Sequence, residues 1–335
     1  MGQILLSCLV AALVFFSASG AYASDATTAQ LVMAANAAAT QDGGKASIAS
    51  LFATKFATGL SQGQTMTLSV THGTFGPEGL APDTFLSLFI GNGAVQETLS
   101  WGPFSQPGAG CTEAVPRCIA PTKLGGVEVR VNGKKAAIAF VLKGSDFDPP
   151  VPDQVNFISP DDDAVGDGIE VEISNAAGLS QKTVIQLLQR APGFFAFDPQ
   201  GRRFLAAVQN DGSAFIGPAG LFGGAPLPNG LEIRPAKPGD IIQLFGTEFG
   251  PTDPKIPSGM IPTAIAELAD KDMLVVTVGG QPAEVFFAGL TSFAGAIQLV
   301  IRVPAVGDGD QAVIASANAG RRFHTGPEHA VSAAG

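Results

Sequence analysis

A chain of 335 residues with only 14% charged side chains and a formal net charge of −10 lacks the basic surface that grips phosphate backbones or anionic headgroups, which excludes nucleic acid as an expected partner. Its 42 glycines and 24 prolines interrupt helices too often for an α-rich fold, while Val, Ile, Phe and Thr recur in short runs between them, so the composition reads as all-β. The length suits two domains of about 100–200 residues, each with its own core.

The apolar run Ile4 to Phe16 is followed by Ala21-Tyr22-Ala23, and the pattern predicts a signal peptide over residues 1–23, cut before Ser24. The run falls short of the about 20 residues that a bilayer span requires, so no membrane span is expected after cleavage. Cys8 lies inside the run rather than after it, which argues against lipidation. Cleavage would remove Tyr22, the single tyrosine, and leave Cys111 and Cys118, an even pair that reads as one disulfide in an exported chain. Two thiols with no His beside them lack the ligands of a tetrahedral metal site. The predicted location is secreted, periplasmic or cell-surface.

Next come Ala29 to Ala39, alanine-rich and ambiguous between helix and coil, and the breakers Gly43 and Gly44. The stretch Asp240 to Gly250, D-I-I-Q-L-F-G-T-E-F-G, has a partial twin at Ser47 to Ala57, S-I-A-S-L-F-A-T-K-F-A, whose Phe52 and Phe56 match Phe245 and Phe249 at one offset of 193 (245 − 52 and 249 − 56). A second block, V-R-V-N-G-K-K-A-A-I-A-F at Val129 to Phe140, matches V-T-V-G-G-Q-P-A-E-V-F-F at Val276 to Phe287 at an offset of 147. The difference, 193 − 147, places a 46-residue insertion in the first copy, within 64–120. It holds two predicted strands, Gln64 to Val70 and Thr84 to Ile90, then a Gly/Pro-rich loop with Trp101, Phe104 and both cysteines. The dipeptides Asn132-Gly133 and Gly279-Gly280 tolerate the positive φ of tight hairpins. Gln154 to Pro160 matches Gln298 to Pro304, each followed by Gly-Asp-Gly and a closing strand, Ile169 to Ser174 and Ala312 to Ser316. A repeat this long is domain-sized, since solenoid units are roughly 20–50 residues. The expected organisation is a first β-sandwich over 24–190, a connector over 191–235 that completes either sheet, a second β-sandwich over 236–320 and a polar tail over 321–335. Asn210-Asp211-Gly212-Ser213 in the connector is a turn sequence.

On the blocks Asp240 to Gly250, Val276 to Leu290, Gln154 to Phe157 and Ala191 to Phe195, the chain resembles a family of exported bacterial proteins, of acidobacterial type, whose uncharacterised C-terminal domain looks like the Ig-like IPT/TIG sandwiches. The resemblance implies an all-β fold of two tandem Ig-like (IPT/TIG-like) domains and an address outside the cell, and it brings no catalytic residues. The antibody type of domain fits poorly, because its disulfide joins distant strands and its corner needs a tyrosine.

Few residues suggest chemistry. Gly59-Leu60-Ser61-Gln62-Gly63 fits G-x-S-x-G, but the β-like T-M-T-L-S-V follows it where a nucleophile elbow needs a helix. His72, His324 and His329 are scattered and supply no triad base or metal spacing. Asp161, Asp162, Asp163 and Asp167 form an acidic loop, a weak Ca²⁺ candidate without EF-hand spacing, and a solvated turn is the plainer reading. Phe194, Phe195 and Phe197 are assigned to the core. The sequence calls for no cofactor. The functional expectation is a non-catalytic binding or structural protein that meets an extracellular or envelope protein, less readily a carbohydrate, through Trp101 and Phe104 of the insertion; the alternative is a hydrolase or an accessory module of an extracellular enzyme.

Overall fold

The structure is a computed structural model that describes residues 68–72, 80–101, 119–146, 150, 152–162, 164–197, 204–221, 231–262, 264–290, 294–317 and 330–333. These residues are all-β, with short 3₁₀ turns at Gly144–Asp146 and Lys271–Met273. No helix among them is long and apolar enough to cross a membrane. The predicted signal peptide, the Ser47 to Ala57 block, Ser61, Phe104, both cysteines, His324 and His329 lie outside the described residues.

In the first half, one antiparallel sheet runs in the order Ser69–His72, Phe85–Ile90, Asp153–Ile158, Ala137–Leu142, Leu99–Ser100. A second runs Ser180–Leu187, Gly166–Asn175, Val127–Val131, Lys123–Leu124. Val127–Val131 alternates buried Val with half-exposed Glu128 and Arg130, so Val129 meets Leu86, Leu88, Val155 and Phe157 of the other sheet in one core. Phe85–Ile90, Ala137–Leu142 and Asp153–Ile158 are buried at every position, which means that both faces of this sheet are covered.

The second half repeats the plan. Ile241–Thr247 lies between Ala207–Gln209 and Ile297–Arg302, then come Gln281–Leu290 and Ala266–Leu268; Leu274–Val278 pairs with Gly309–Ala317, which pairs with Ala330–Ala333. The core positions correspond across the halves: Leu88 to Leu244, Val129 to Val276, Val131 to Val278, Val155 to Leu299, Phe157 to Ile301. Even the irregularity recurs, since the Ala137–Leu142 ladder shifts register between Ile138 and Phe140, and the Gln281–Leu290 ladder shifts between Val285 and Phe287, the same offset of 147. A β-bulge held at one place in both copies bends both strands alike. The two hairpin turns also agree, with φ of 50° and 75° at Asn132-Gly133 and 57° and 77° at Gly279-Gly280, as the sequence predicts.

One block is assigned differently by the fold. The strand that sits where Ile241–Thr247 sits is Phe85–Ile90: Phe85 pairs with Ile158 and Phe89 with Gln154, as Ile241 pairs with Arg302 and Phe245 with Gln298. The offset there is 156 (241 − 85 and 245 − 89), so the first half exceeds the second by nine residues before Val129 (156 − 147), not by 46. Hydrogen-bond register carries more information than the match of two Phe pairs.

The 191–235 stretch joins the second half's sheet. Gly193–Phe194 and Ala207–Gln209 pair with Ile241–Thr247, and Ala214–Ile216 pairs with Glu232–Arg234. Gly212, at φ 76°, turns the chain between Gln209 and Ala214, and the Asp211 carboxylate accepts the Ser213 N–H at 2.9 Å. Gly246 is required beside this junction: a Cβ there would meet the Gly193 carbonyl oxygen at 2.5 Å.

Candidate functional site

The halves meet along a segment, residues 254–260, that leaves the second half and lies against the first. The Ala120 N–H donates to the Gly259 carbonyl at 2.8 Å, and Ile119 bridges Met260. Gly259, at φ 75°, approaches so closely that a Cβ would lie 2.3 Å from that of Ala137. Lys255 forms an ion pair with Asp161, and the Ser258 hydroxyl donates to the Asp83 carboxylate. Deeper in, the Phe85 N–H donates to Thr247 Oγ1 at 3.3 Å, the Thr247 hydroxyl donates to the Gly295 carbonyl at 3.0 Å, and the ring of Phe85 stands edge-on to Phe195 at 6.3 Å.

Beside this joint opens a cleft of about 370 Å³, near the lower end of the roughly 300–1,000 Å³ usual for ligand pockets. Asp83, Asp161 and Arg190 line it from the first half, and Glu248, Lys255 and Ser258 from the second. Ile158, Ile256, Leu290 and Ile297 supply apolar wall.

Two of its carboxyls are unusual in backbone and in charge. Asp83 has φ 56° and Glu248 has φ 60°; among the described residues the only other non-glycine with positive φ is Asn132, in its hairpin turn. At the place of Asp83 the second half has Gly239, at φ 88°, the residue that bears such a turn without strain. The first half thus puts a carboxylate where the geometry favours glycine. Burial pushes the Asp83 carboxyl up to about 6 from its ordinary 3.8, with nearby Asp161 adding and Lys255 opposing. Burial pushes Glu248 up to about 8 from 4.5, opposed by Arg190 and by the Ala191 N–H, which donates to it at 3.3 Å, while Asp83 adds to the rise. Near neutral pH, Glu248 therefore holds a proton and Asp83 is mostly ionised.

The sequence candidates fall elsewhere. Trp101 is 6% exposed and its backbone N–H donates to the Ala139 carbonyl at 2.9 Å, so its ring is buried at the sheet edge rather than displayed for recognition. The acidic loop does not converge. Asp162 accepts from Asn132 at 2.9 Å and from the Ala164 N–H at 3.1 Å and pairs with Lys134, Asp161 turns to Lys255, and Asp167 accepts from Gln186 at 2.8 Å; Asp163 lies outside the described residues. Among the described residues no group of His, Cys, Asp or Glu is arranged to hold a metal ion. Phe194 and Phe195 are buried, as expected, and the side chain of Phe197 is outside the description. Sequence reading missed Asp83 and Glu248; for Asp83 the available signal was a non-glycine at a turn where the other copy has Gly239.

No family model and no curated protein matches the chain. Among solved structures it is similar to a surface glycan-binding protein, SGBP-B of the Bacteroides ovatus mixed-linkage glucan utilization locus, in complex with a mixed-linkage heptasaccharide: 11% identity, TM-score 0.28, over 76% of this chain and 43% of that one. It is also similar to the full extracellular region of plexin A4, at 12% identity and TM-score 0.22, over 80% of this chain and 18% of that one. The chain spans less than half the length of either, and likeness at this level assigns no ligand.

Proposed function

We propose that the protein is a non-catalytic binding protein of the cell exterior, built from two tandem Ig-like β-sandwich units of IPT/TIG type, with its recognition site in the cleft between them. The observation that carries this reading is the placement of Asp83 and Glu248, each in a strained backbone conformation, one from each half, facing one cleft with apolar walls. Strain of about 1 kcal/mol or more at a turn is retained when something other than folding depends on it. Trp101, one of the two residues expected to carry recognition, is buried, and Phe104 lies outside the described residues. The partner we favour is an extracellular or envelope protein that inserts a small side-chain cluster, since the described cleft walls contain no aromatic ring for a sugar to stack on.

The test is a melting-temperature screen against peptides and oligosaccharides, repeated on Ile256→Trp, which fills the cleft. A compound that raises the melting temperature of the parent but not of the filled variant binds there. Compounds that stabilise both proteins equally, or no stabilising compound at all, would remove the cleft from consideration.

A second reading has its own support, because one carboxyl protonated and one ionised in a shared cleft is the arrangement of an acid–base pair in glycoside hydrolysis. We place it second since both groups are already engaged, Asp83 by Ser258 across the joint and Glu248 by the Ala191 N–H within the second half. Turnover of an oligosaccharide that Glu248→Gln abolishes would reverse the order.

A further inference from the structure

We propose that the strand Ser180–Leu187 is a docking edge for a second copy of this chain, the two strands pairing antiparallel about a twofold axis that passes between their Thr183 residues. The inference concerns the outer edge of the first half and does not depend on whether the cleft takes a ligand.

The ladder shows which backbone groups are free. Asn132 donates its N–H to the Glu170 carbonyl at 2.8 Å, so Glu170 turns its backbone groups toward Val127–Val131. Alternation then turns Ile169, Val171 and Ile173 toward Ser180–Leu187, where they pair with Ile185, Thr183 and Gln181. The Asn175 N–H, which donates to the Leu179 carbonyl at 3.1 Å, fits the same phase. Ser180, Lys182 and Val184 therefore point their N–H and C=O groups away from the sheet, and among the described residues no strand pairs with them there. The Val184 side chain is 67% exposed.

The second half shows that this place takes a strand. Val184 opposite Glu170 corresponds to Ala330 opposite Ala312, since Val171 and Ile173 correspond in register to Val313 and Ala315. Phe204 lies alongside Ala330 and closes that edge. In the first half the devices that blunt an open edge are missing or neutralised. Ser180–Leu187 has no proline, its register shift falls beyond Ile185, and it carries no acidic residue in a chain of net charge −10. Its one cation, Lys182, pairs with Glu170 at 2.8 Å, and the Ser180 hydroxyl donates to Glu172 at 2.8 Å, so both of these acids on the neighbouring strand are engaged.

Self-complementarity selects a second copy and fixes the register. Centred on Thr183, Lys182 of each copy faces Val184 of the other with their free backbone groups opposed, and Thr183 faces Thr183 at a non-hydrogen-bonded position. The lysine stem then covers the exposed valine. Centring on Lys182 would set like charges opposite each other. Centring on Val184 would bring Ser180 against Leu188, whose N–H already donates to the Leu80 carbonyl at 2.7 Å. Intermediate registers would set core-facing Ile185 among exposed side chains.

Sedimentation equilibrium on the full chain at about 100 μM is expected to give twice the single-chain mass. Val184→Pro removes an N–H that the folded chain does not use, so the fold should persist while the mass falls to that of one chain. Cross-strand distance supplies an independent readout. Two Cβ atoms at a non-hydrogen-bonded pair lie about 4.5–5.5 Å apart, so Thr183→Cys should yield a disulfide-linked dimer on mild oxidation, in excess of any that the parent forms. Gln181→Cys, which faces Ile185 rather than itself, should yield no such excess. A single-chain mass for the parent, or a doubled mass that Val184→Pro leaves unchanged, overturns the proposal. Should Val184→Pro fail to fold, the two cysteine variants decide: more linkage in Thr183→Cys than in Gln181→Cys supports the pairing, and equal linkage in both, or none in either, overturns it.

Discussion

The two halves share a frame and differ at one kind of place. Where the second half has Ile297, an apolar residue beside the cleft, the first has Asp153 at the same register position. Where the second turns on Gly239, the first turns on Asp83. The cores by contrast correspond residue for residue, Val131 with Val278 and Phe157 with Ile301. The frame therefore tolerates exchange of one apolar side chain for another, and individuality enters at strand ends, where a carboxylate finds local N–H groups or meets the other copy. The predictions that follow each convert one half toward the other at such a position.

The largest effect is expected at Asp153. Its carboxylate is fully buried and accepts the N–H groups of Gly93, Ala94, Val95 and Gly144 at 2.8–3.0 Å, so one side chain shapes two turns. Asp153→Ala leaves those donors dry and unpaired, and urea denaturation should show a loss of about 3–5 kcal/mol. Ile297→Val, at the corresponding place, should lose about 0.5–1.5 kcal/mol. Equal losses at the two sites would mean that Asp153 does not organise its turns.

The next effect is on pH dependence. Glu248 and Asp83 bind protons more tightly in the folded chain than in the unfolded one, so between the unfolded values near 4 and the folded values of about 8 and about 6 the unfolded state releases protons first. Stability is then highest below about pH 4 as far as these two groups are concerned, and it declines as pH rises through that window, most steeply between about pH 4.5 and about pH 6, where both groups contribute. Glu248→Gln should flatten the upper part of the decline, from about pH 6 to about pH 8, in denaturation curves taken across the range. A profile that rises from pH 5 to pH 8 in parent and variant alike would contradict the burial of these groups.

A smaller loss is expected at Gly259, where the joint leaves no space. The added methyl of Gly259→Ala would meet Ala137 Cβ at 2.3 Å in a left-handed conformation, and about 1–3 kcal/mol of stability should go with the displaced segment. Gly280→Ala, at φ 77° but with nothing within 4 Å, carries only the backbone part, about 1 kcal/mol. The difference between the two variants measures the contact between the halves.

Much of the frame was legible in the sequence because a β-sandwich repeats its inward-facing apolar residues at every second position, and two copies show the pattern twice. Val129 to Phe140 and Val276 to Phe287 matched without gaps, and their turns carry the predicted positive φ at Asn132-Gly133 and Gly279-Gly280. Phe85–Ile90 was expected as a strand and misplaced as part of an insertion, since nothing in F-L-S-L-F-I names its neighbours; only the pairing of Phe89 with Gln154 does. The joint was not legible at all. Asp83 and Ser258 lie far apart in the chain, and their meeting follows from tertiary packing, which no local pattern encodes.

The smallest effect belongs to the hairpin turns and tests whether they are interchangeable. Asn132 does more than accept positive φ, because its side-chain amide donates to Asp162 at 2.9 Å, and this bond is the first cause holding the Asp162 carboxyl below its ordinary 3.8, ahead of the Ala164 N–H and Lys134. The second turn has glycine at both places, so Gly279 offers no side chain for such a bond. Asn132→Gly rewrites the first turn as the second. The glycine fits the conformation at no steric cost, but it frees the unfolded chain and removes one solvent-exposed hydrogen bond, so the net loss should be about 0.5–1 kcal/mol at neutral pH. Asp162 contributes stability above its unfolded value, which is lost as pH falls through its folded one; with Asn132 gone that value rises toward 3.8, and the acid-side dependence of stability should shrink. Parallel urea titrations near pH 3 and pH 7 check this, and a loss equal at both values would show the turn to be tied by backbone geometry alone.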